Sequence, residues 1–422
     1  MTAETDPSHP SAPPPHKRHG LRPVYAIGLF TMGLIDVFVF LIPIYALSLE
    51  MTDAQVGWLV GARSFVSLFL SIHGGVLMDR FGTRKVTLGF VGCVVVLAPL
   101  FPLMPSFHGL LLLQALTGGA ISLAWSGAQT MIAQTVDGDA EFIGRFSFFA
   151  RIGTTCSPII AGALWDLGGA WVAYGFGTAW AATAFVAVWL GPEPPIATHD
   201  AAAVAQPRFR LIDLMPRLSD YRASFALAAI PAVAFTAAVI LVRNSNYGVQ
   251  TSVYVTYVEG IGFSATMIAV LFGAIEAAAG IGSLFAGRSM RRFDPRWFLV
   301  WTTAATILLI ASTPLFVMAS PLPGVVFALL LAAQFARGAI QGVSQPILFS
   351  IQAKAVGRHQ QGSVVGFRQT VNRAASIVVP PLIGMAADQW GREFAFLLMG
   401  VVFTALSLLL ALLARRVPPS EG

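Results

Sequence analysis

Seven charged side chains sit deep inside otherwise apolar runs of this chain: Asp36, Arg63, Arg151, Arg243, Glu276, Arg337 and Arg373. An eighth, Arg368, lies nearer the end of its run. A charge at the centre of a hydrocarbon layer costs at least ~2.5–3.5 kcal/mol, so each one needs a partner, a water-filled cavity or a function. The five deep arginines against two carboxylates leave an excess of about +3. Such an excess around a hydrated pocket favours an anionic solute, and the planar guanidinium fork matches a carboxylate or phosphate with two parallel hydrogen bonds. Arg151 and Arg373 are the candidate clamp, with Arg243 and Arg337 as further contacts. Asn246, Tyr247, Gln250, Gln334 and Gln341 are the candidate polar walls. Asp36 and Glu276 are candidate proton carriers, because burial raises a carboxylate pKa and a nearby arginine lowers it. The plainer alternative is ion pairing that only holds helices together. Arg63 fits that role best, neutralised by Asp36 on the neighbouring helix, and Arg368 suits loop carboxylates or lipid head groups.

The elements that must position these groups are membrane helices. The chain has 422 residues, 56% hydrophobic and only 11% charged, with a mean hydropathy of +0.73. Soluble domains carry roughly 25% charged residues. A formal charge of +6 could suggest nucleic acid, but no basic tract is interleaved with aromatics. Cys93 and Cys156 both fall in predicted spans, so no disulfide is expected. Twelve runs are long enough for a ~30 Å hydrocarbon core. They cover 23–48, 54–77, 86–105, 109–135, 144–165, 170–190, 224–257, 264–287, 297–319, 324–350, 363–386 and 394–414, and are numbered spans 1 to 12. Residues 1–22 read as a disordered tail and 416–422 as a second tail. Residues 191–222, with five prolines and four arginines, read as a linker between six-span bundles at 23–190 and 223–415.

Lys and Arg outside the spans concentrate in the tails, the linker and the loops 78–85, 288–296 and 351–362, which places both termini in the cytoplasm. The opposite loops carry Glu50, Asp53, Asp166, Glu259, Asp388 and Glu393, and a single arginine, Arg392. The halves also repeat one another. Gly144, Arg151, Pro158, Gly162, Asp166 and Gly169 recur 222 residues later as Gly366, Arg373, Pro380, Gly384, Asp388 and Gly391. Gln114 and Gly118 recur as Gln334 and Gly338, and Gly75, Arg80, Phe81 and Arg84 as Gly287, Arg292, Phe293 and Arg296. Polar residues form one-faced stripes at helical spacing on span 7 (Arg243, Asn246, Tyr247, Gln250, Tyr254, Tyr257), span 10 (Gln334, Arg337, Gln341, Gln345) and span 11 (Gln369, Arg373, Ser376). Stripes on several helices imply one shared hydrated cavity. Spans 3, 6, 9 and 12 contain no charge.

The loop between spans 2 and 3 reads Gly75, three residues, Asp79, Arg80, one residue, Gly82, then Arg84 and Lys85. It resembles the signature loop of the major facilitator superfamily of secondary transporters, departing at Thr83 where that family usually has a basic residue. The resemblance implies an all-α fold of twelve transmembrane helices in two pseudo-symmetric six-helix bundles around a central cavity. It implies that spans 3, 6, 9 and 12 face lipid and that Gly75, Asp79, Arg80, Gly82, Arg84 and Lys85 form a cytoplasmic gate. There Asp79 would face the start of span 11 near Gly362 and Ser363, and the basic residues would meet Asp137, Asp139 or Glu141. Gly153, Ser157, Pro158, Ala161 and Gly162 look like a softened form of the span 5 motif of antiporters.

The leading functional reading is a secondary transporter that moves a small organic anion, a carboxylate or phosphorylated metabolite, by alternating access with proton coupling or anion exchange. Two alternatives stay open: a proton-coupled exporter of drugs or amphipaths, and a membrane sensor that does not transport. No metal-ligand spacing, nucleophile motif or nucleotide-binding loop points to an enzyme or to a cofactor. The expected partners are the solute, a coupling proton or counter-anion and the bilayer, with no nucleic acid. The expected state is a monomer in a bacterial inner membrane.

Overall fold

The computed structural model describes residues 21–136, 140–193, 226–355 and 361–417, with backbone alone at Leu21, 71–76, Asp79, Arg80, 140–141, 353–354 and 361–366. Most of the expected tails and linker lie outside the described residues. Those described are almost wholly helical, as runs of apolar residues must be where no water can satisfy a bare backbone.

The twelve predicted spans are present, but not as twelve unbroken rods. Among the described residues, seven helices are long and apolar enough to cross a membrane, and one of these, within Ala140–Leu190, contains both span 5 and span 6. Its reversal is confined to Gly168 and Gly169, the latter at φ +65°. Gly391, the repeat partner of Gly169, holds φ +89° at the same reversal between spans 11 and 12. Only glycine takes that conformation without strain, so the repeat seen in the sequence is a repeat of turn geometry. The remaining four crossings are spans 2, 7 and 9, which are interrupted, and span 11, whose polar face lowers its hydropathy.

The interruptions have local causes. Span 2 is Asp53–Ala62 followed by Phe65–Phe81, breaking at Arg63 and Ser64. Span 7 is Pro231–Gln250 followed by Val253–Gly260. There the Thr251 and Ser252 hydroxyls bond back to the carbonyls of Tyr247 and Gly248 and compete with the backbone ladder. Span 9 divides into Pro295–Ala311 and Thr313–Met318 at Ser312, two residues before Pro314. The loop expected at 78–85 contracts to one residue: the span 2 helix runs to Phe81, span 3 starts at Thr83, and Gly82 at φ +88° makes the turn.

Large apolar side chains stand exposed along spans 3, 6, 9 and 12, among them Val96, Val186, Trp189, Trp301, Leu308, Leu397, Val401 and Leu408. These four spans carry no charge, and in a bilayer this surface meets lipid. Span 1 lies inside, packed most extensively on spans 5 and 6.

Candidate functional site

Spans 1, 2, 5, 7, 8 and 11 bring five charges together at the junction of the two halves. Arg151 of span 5 donates from Nη1 to Oε2 of Glu276 on span 8 at 3.3 Å, an ion pair that crosses from one half to the other. Span 8 approaches closely enough for this because Gly273 and Gly280 face span 5. A Cβ on Gly273 would lie 3.1 Å from the Thr155 carbonyl oxygen, and one on Gly280 would lie 3.4 Å from Arg151 Cδ. Asp36 of span 1 lies within electrostatic reach of both Glu276 and Arg63 but makes no salt bridge among the described residues. The Tyr247 hydroxyl meets the Arg63 side chain, and Arg373 of span 11 faces Arg63 with its own Nε buried and unpartnered. The cluster therefore holds Arg63, Arg151 and Arg373 against Asp36 and Glu276.

The other candidate residues lie in different surroundings. Arg63 lies within electrostatic reach of Asp36 without forming a salt bridge to it among the described residues, and its side chain also meets the Tyr247 hydroxyl. The excess charge at the centre is +1 with both carboxylates ionised, since two of the five arginines lie elsewhere. Arg337 is only 1% exposed and is locked between Gln250 and Gln334. It donates to Gln334 Oε1 at 2.6 Å, Gln334 donates to Gln250 Oε1 at 3.2 Å, and Tyr254 lies alongside. This knot between spans 7 and 10 is buried, with Arg337, Gln250 and Gln334 each engaged with one another. Asn246 is sealed as well, with both amide atoms unpartnered. Arg243 points toward the cytoplasmic side, donating to Ser344 Oγ at 2.8 Å and to the Gln341 carbonyl at 3.4 Å.

The sequence profile of the Major Facilitator Superfamily matches residues 24–321 and again 235–422. The chain belongs to the major facilitator superfamily. The solved structures agree in fold. One is a nucleoside transporter, NupG, at TM-score 0.77 and 12% identity, covering 93% of this chain and 99% of that one. A second is a D-xylose–proton symporter, at TM-score 0.72 and 12% identity, covering 96% and 99%. A third is a bacterial homologue of the human lysosomal transporter Spinster in an inward-facing, unoccupied conformation, at TM-score 0.69 and 16% identity, covering 97% and 100%. No curated protein matches the chain by sequence.

This major facilitator is closed at the end away from its basic loops. Asp388, at the end of span 11, accepts from the backbone N–H of Asp53 at 2.8 Å and of Ala54 at 3.0 Å, capping span 2 of the other half. Asp166, its repeat partner, accepts from the N–H of Ala265 at 3.0 Å, the N–H of Thr266 at 2.9 Å and the Thr266 hydroxyl at 2.5 Å, capping span 8. The capped turns are themselves a repeat: Thr52 and Ser264 are 212 residues apart, and each N-caps its helix. A carboxylate at a helix N-terminus satisfies orphan N–H groups and meets the positive end of the dipole. Arg392 bonds Asp53 Oδ2 at 2.8 Å and the Thr256 carbonyl at 2.9 Å, adding a third tie. The sequence showed these acids only as loop charges. Their role was readable from the pairing of the two repeat offsets, 222 for the acid and 212 for the cap.

At the cytoplasmic end the inner half of span 2 touches span 11 far less than its outer half does. Arg84 bonds the Trp189 carbonyl and lies 3.8 Å from Glu193, as does Lys85. Both Arg84 and Lys85 are thus engaged within their own half, at the end of span 6, and bridge to no described residue of the other half. The side chains of Asp79, Arg80 and Glu141, and all of Asp137 and Asp139, lie outside the description, and Gly75, Gly362 and Ser363 are placed by backbone alone.

Replacing both Asp166 and Asp388 by alanine is expected to loosen the outer seal. A charge-assisted hydrogen bond contributes about 1.5–3 kcal/mol when buried, and less at this exposed rim. Spin labels at Gln55 and Gln389 should report longer, broader distances in the double variant. An unchanged distribution would mean that the carboxylates do not hold the halves together.

Proposed function

We propose that this transporter moves a small organic anion by alternating access, with Arg151 and Arg373 gripping it from the two halves. The observation that carries this is the composition of the central cluster: three arginines from both halves, two carboxylates, and one inter-half ion pair. An anion that enters can replace Glu276 on Arg151, whose single 3.3 Å contact leaves the guanidinium fork free to bind a carboxylate or phosphate with two hydrogen bonds. It also neutralises the remaining positive charge, which removes the electrostatic cost of bringing Arg63 and Arg373 close. Asp36, the carboxylate without a salt bridge, is the foremost candidate for the coupled proton, and Glu276 becomes a second one when Arg151 turns to the solute. Tyr247 shapes the pocket. Gly75, Asp79, Arg80, Gly82, Arg84 and Lys85 close the cytoplasmic face when the outer face opens. The working unit is a monomer in a bacterial inner membrane, and transport requires no cofactor.

The test is thermal stabilisation of the purified protein by a panel of mono- and dicarboxylates, phosphorylated sugars and lipophilic cations, each at two pH values. A ligand of the folded state stabilises it by RT ln(1 + [L]/Kd), about 2.7 kcal/mol at a hundred times Kd. The expected result is stabilisation by one anion class, lost in Arg151→Gln and Arg373→Gln. Stabilisation by lipophilic cations alone, sensitive to Asp36→Asn, would replace this reading with that of a drug exporter.

A further inference from the structure

We propose a second anion site, separate from the central cluster, inside the C-terminal bundle on its cytoplasmic side. A cavity of about 190 Å³ opens between spans 7, 10 and 11. Its polar lining is Arg243, Asn244, Gln345, Arg368, Gln369 and Asn372: two guanidiniums, four amides and no carboxylate. Spans 7, 10 and 11 contain no Asp or Glu within 231–250, 323–354 or 361–386, so no acid on these helices can turn in to neutralise the pair.

Each arginine is held in place with bonding capacity to spare. Arg243 is fixed through Nη2 to Ser344 and the Gln341 carbonyl, while its Nη1 is buried without a partner. Arg368 lies over the Phe349 ring, 4.3 Å from its centroid, and reaches Gln352 Oε1 only at 3.4 Å. Stacking on an aromatic face fixes the plane of a guanidinium and leaves its edge free to donate. The amides of Asn244, Gln345, Gln369 and Asn372 can donate alongside. Two positive forks and four neutral amides around a volume of about six waters fit a phosphate or carboxylate group and fit no cation.

The position suggests what the site does. Arg368 precedes Arg373 by five residues on span 11, about 7.5 Å nearer the cytoplasm. Because spans 7, 10 and 11 all belong to one half, the site does not depend on the two halves meeting. An anion can rest there whichever way the transporter faces, one step from the central cluster. The site itself requires only a phosphate or carboxylate group and does not rest on the nature of the transported solute. That group could belong to a dissolved anion or to the head group of an inner-leaflet phospholipid.

The full-length protein in neutral detergent would be titrated with inorganic phosphate at ionic strength held constant with chloride, following thermal stability. Phosphate is expected to stabilise the wild type. Arg368→Gln, at the half-buried rim, should raise the half-saturating concentration at least tenfold, Arg243→Gln should do the same, and Gly89→Ala on span 3, where a Cβ meets nothing within 4 Å, should leave it unchanged. In a parallel arm, nanodiscs of phosphatidylglycerol would be compared with phosphatidylcholine. Stabilisation by phosphatidylglycerol that Arg368→Gln removes also supports the site and assigns it to a lipid head group. A phosphate effect no larger than that of chloride, together with no phosphatidylglycerol stabilisation that Arg368→Gln removes, would overturn the proposal. So would an effect lost in Arg151→Gln but intact in Arg368→Gln, since phosphate would then bind only at the centre.

Discussion

Gly57→Ala is expected to reduce transport at least tenfold and to hold the outer face open. Gly57 and Gly61 form a small-residue pair four apart on the outer half of span 2, where it crosses span 11 of the other half. A Cβ on Gly57 would sit 2.3 Å from the Pro380 carbonyl oxygen and 2.6 Å from its carbon, and one on Gly61 would sit 2.8 Å from the Ile377 oxygen. These neighbours are backbone of a helix stiffened by Pro380 and Pro381, so neither side can yield by a rotamer change. Overpacking of this kind costs about 1–3 kcal/mol. The cost falls on the outward-closed state, in which this contact between the halves is made, and parting the halves there relieves it. A differential of that size shifts a two-state equilibrium roughly five- to 150-fold. The check is the distance between spin labels at Met51 and Phe394 together with solute flux. Gly89→Ala is the control, since a Cβ there meets nothing within 4 Å on lipid-facing span 3. Flux and distances in Gly57→Ala equal to those of Gly89→Ala would show that this crossing is not part of the gate.

Arg151→Ala is expected to abolish transport, a loss of at least a hundredfold, while the protein remains folded in the membrane. The substitution removes the guanidinium that the N-terminal half offers to the solute and leaves Glu276 without its ion pair across the halves. Removing one partner of a desolvated pair can itself destabilise by about 3–5 kcal/mol. Here both side chains keep part of their solvent exposure, 39% and 31%, so the structural cost is smaller. The charge-conserving double variant Arg151→Gln/Glu276→Gln separates the two roles. Its melting temperature should return toward the wild type, and its transport should not. Recovery of transport in the double variant would reduce Arg151 to a counter-charge for Glu276.

The architecture was legible because each of its causes is local and strong. Long apolar runs can only be helices in lipid, and the matching pairs Arg151 and Arg373, Asp166 and Asp388, Gly169 and Gly391 reveal a duplicated half. The site was less legible because helical periodicity gives the face of a residue but not its neighbour. Arg243, Tyr247 and Gln250 share one stripe on span 7, yet they serve three environments: the cytoplasmic-side cavity, the central cluster and the knot around Arg337. The interruption at Thr251 and Ser252 and the approach of spans 10 and 11 decide which residue meets which partner, and neither is written in spacing. Arg63 shows the same limit. Its side chain lies within reach of Tyr247 as well as of Asp36, which helical spacing on span 2 alone does not show.

The most direct test of anion transport through the central cluster is charge movement on proteoliposomes adsorbed to a solid-supported membrane. Carboxylates and phosphate esters would be perfused at two pH values over the wild type and Arg373→Gln. Arg373 is the decisive position because it pairs with no carboxylate and so has no counter-charge role to confuse the result. The account predicts a current evoked by one anion class, altered by pH and absent in Arg373→Gln. An anion-evoked current undiminished in Arg373→Gln, or currents evoked only by lipophilic cations, would contradict it.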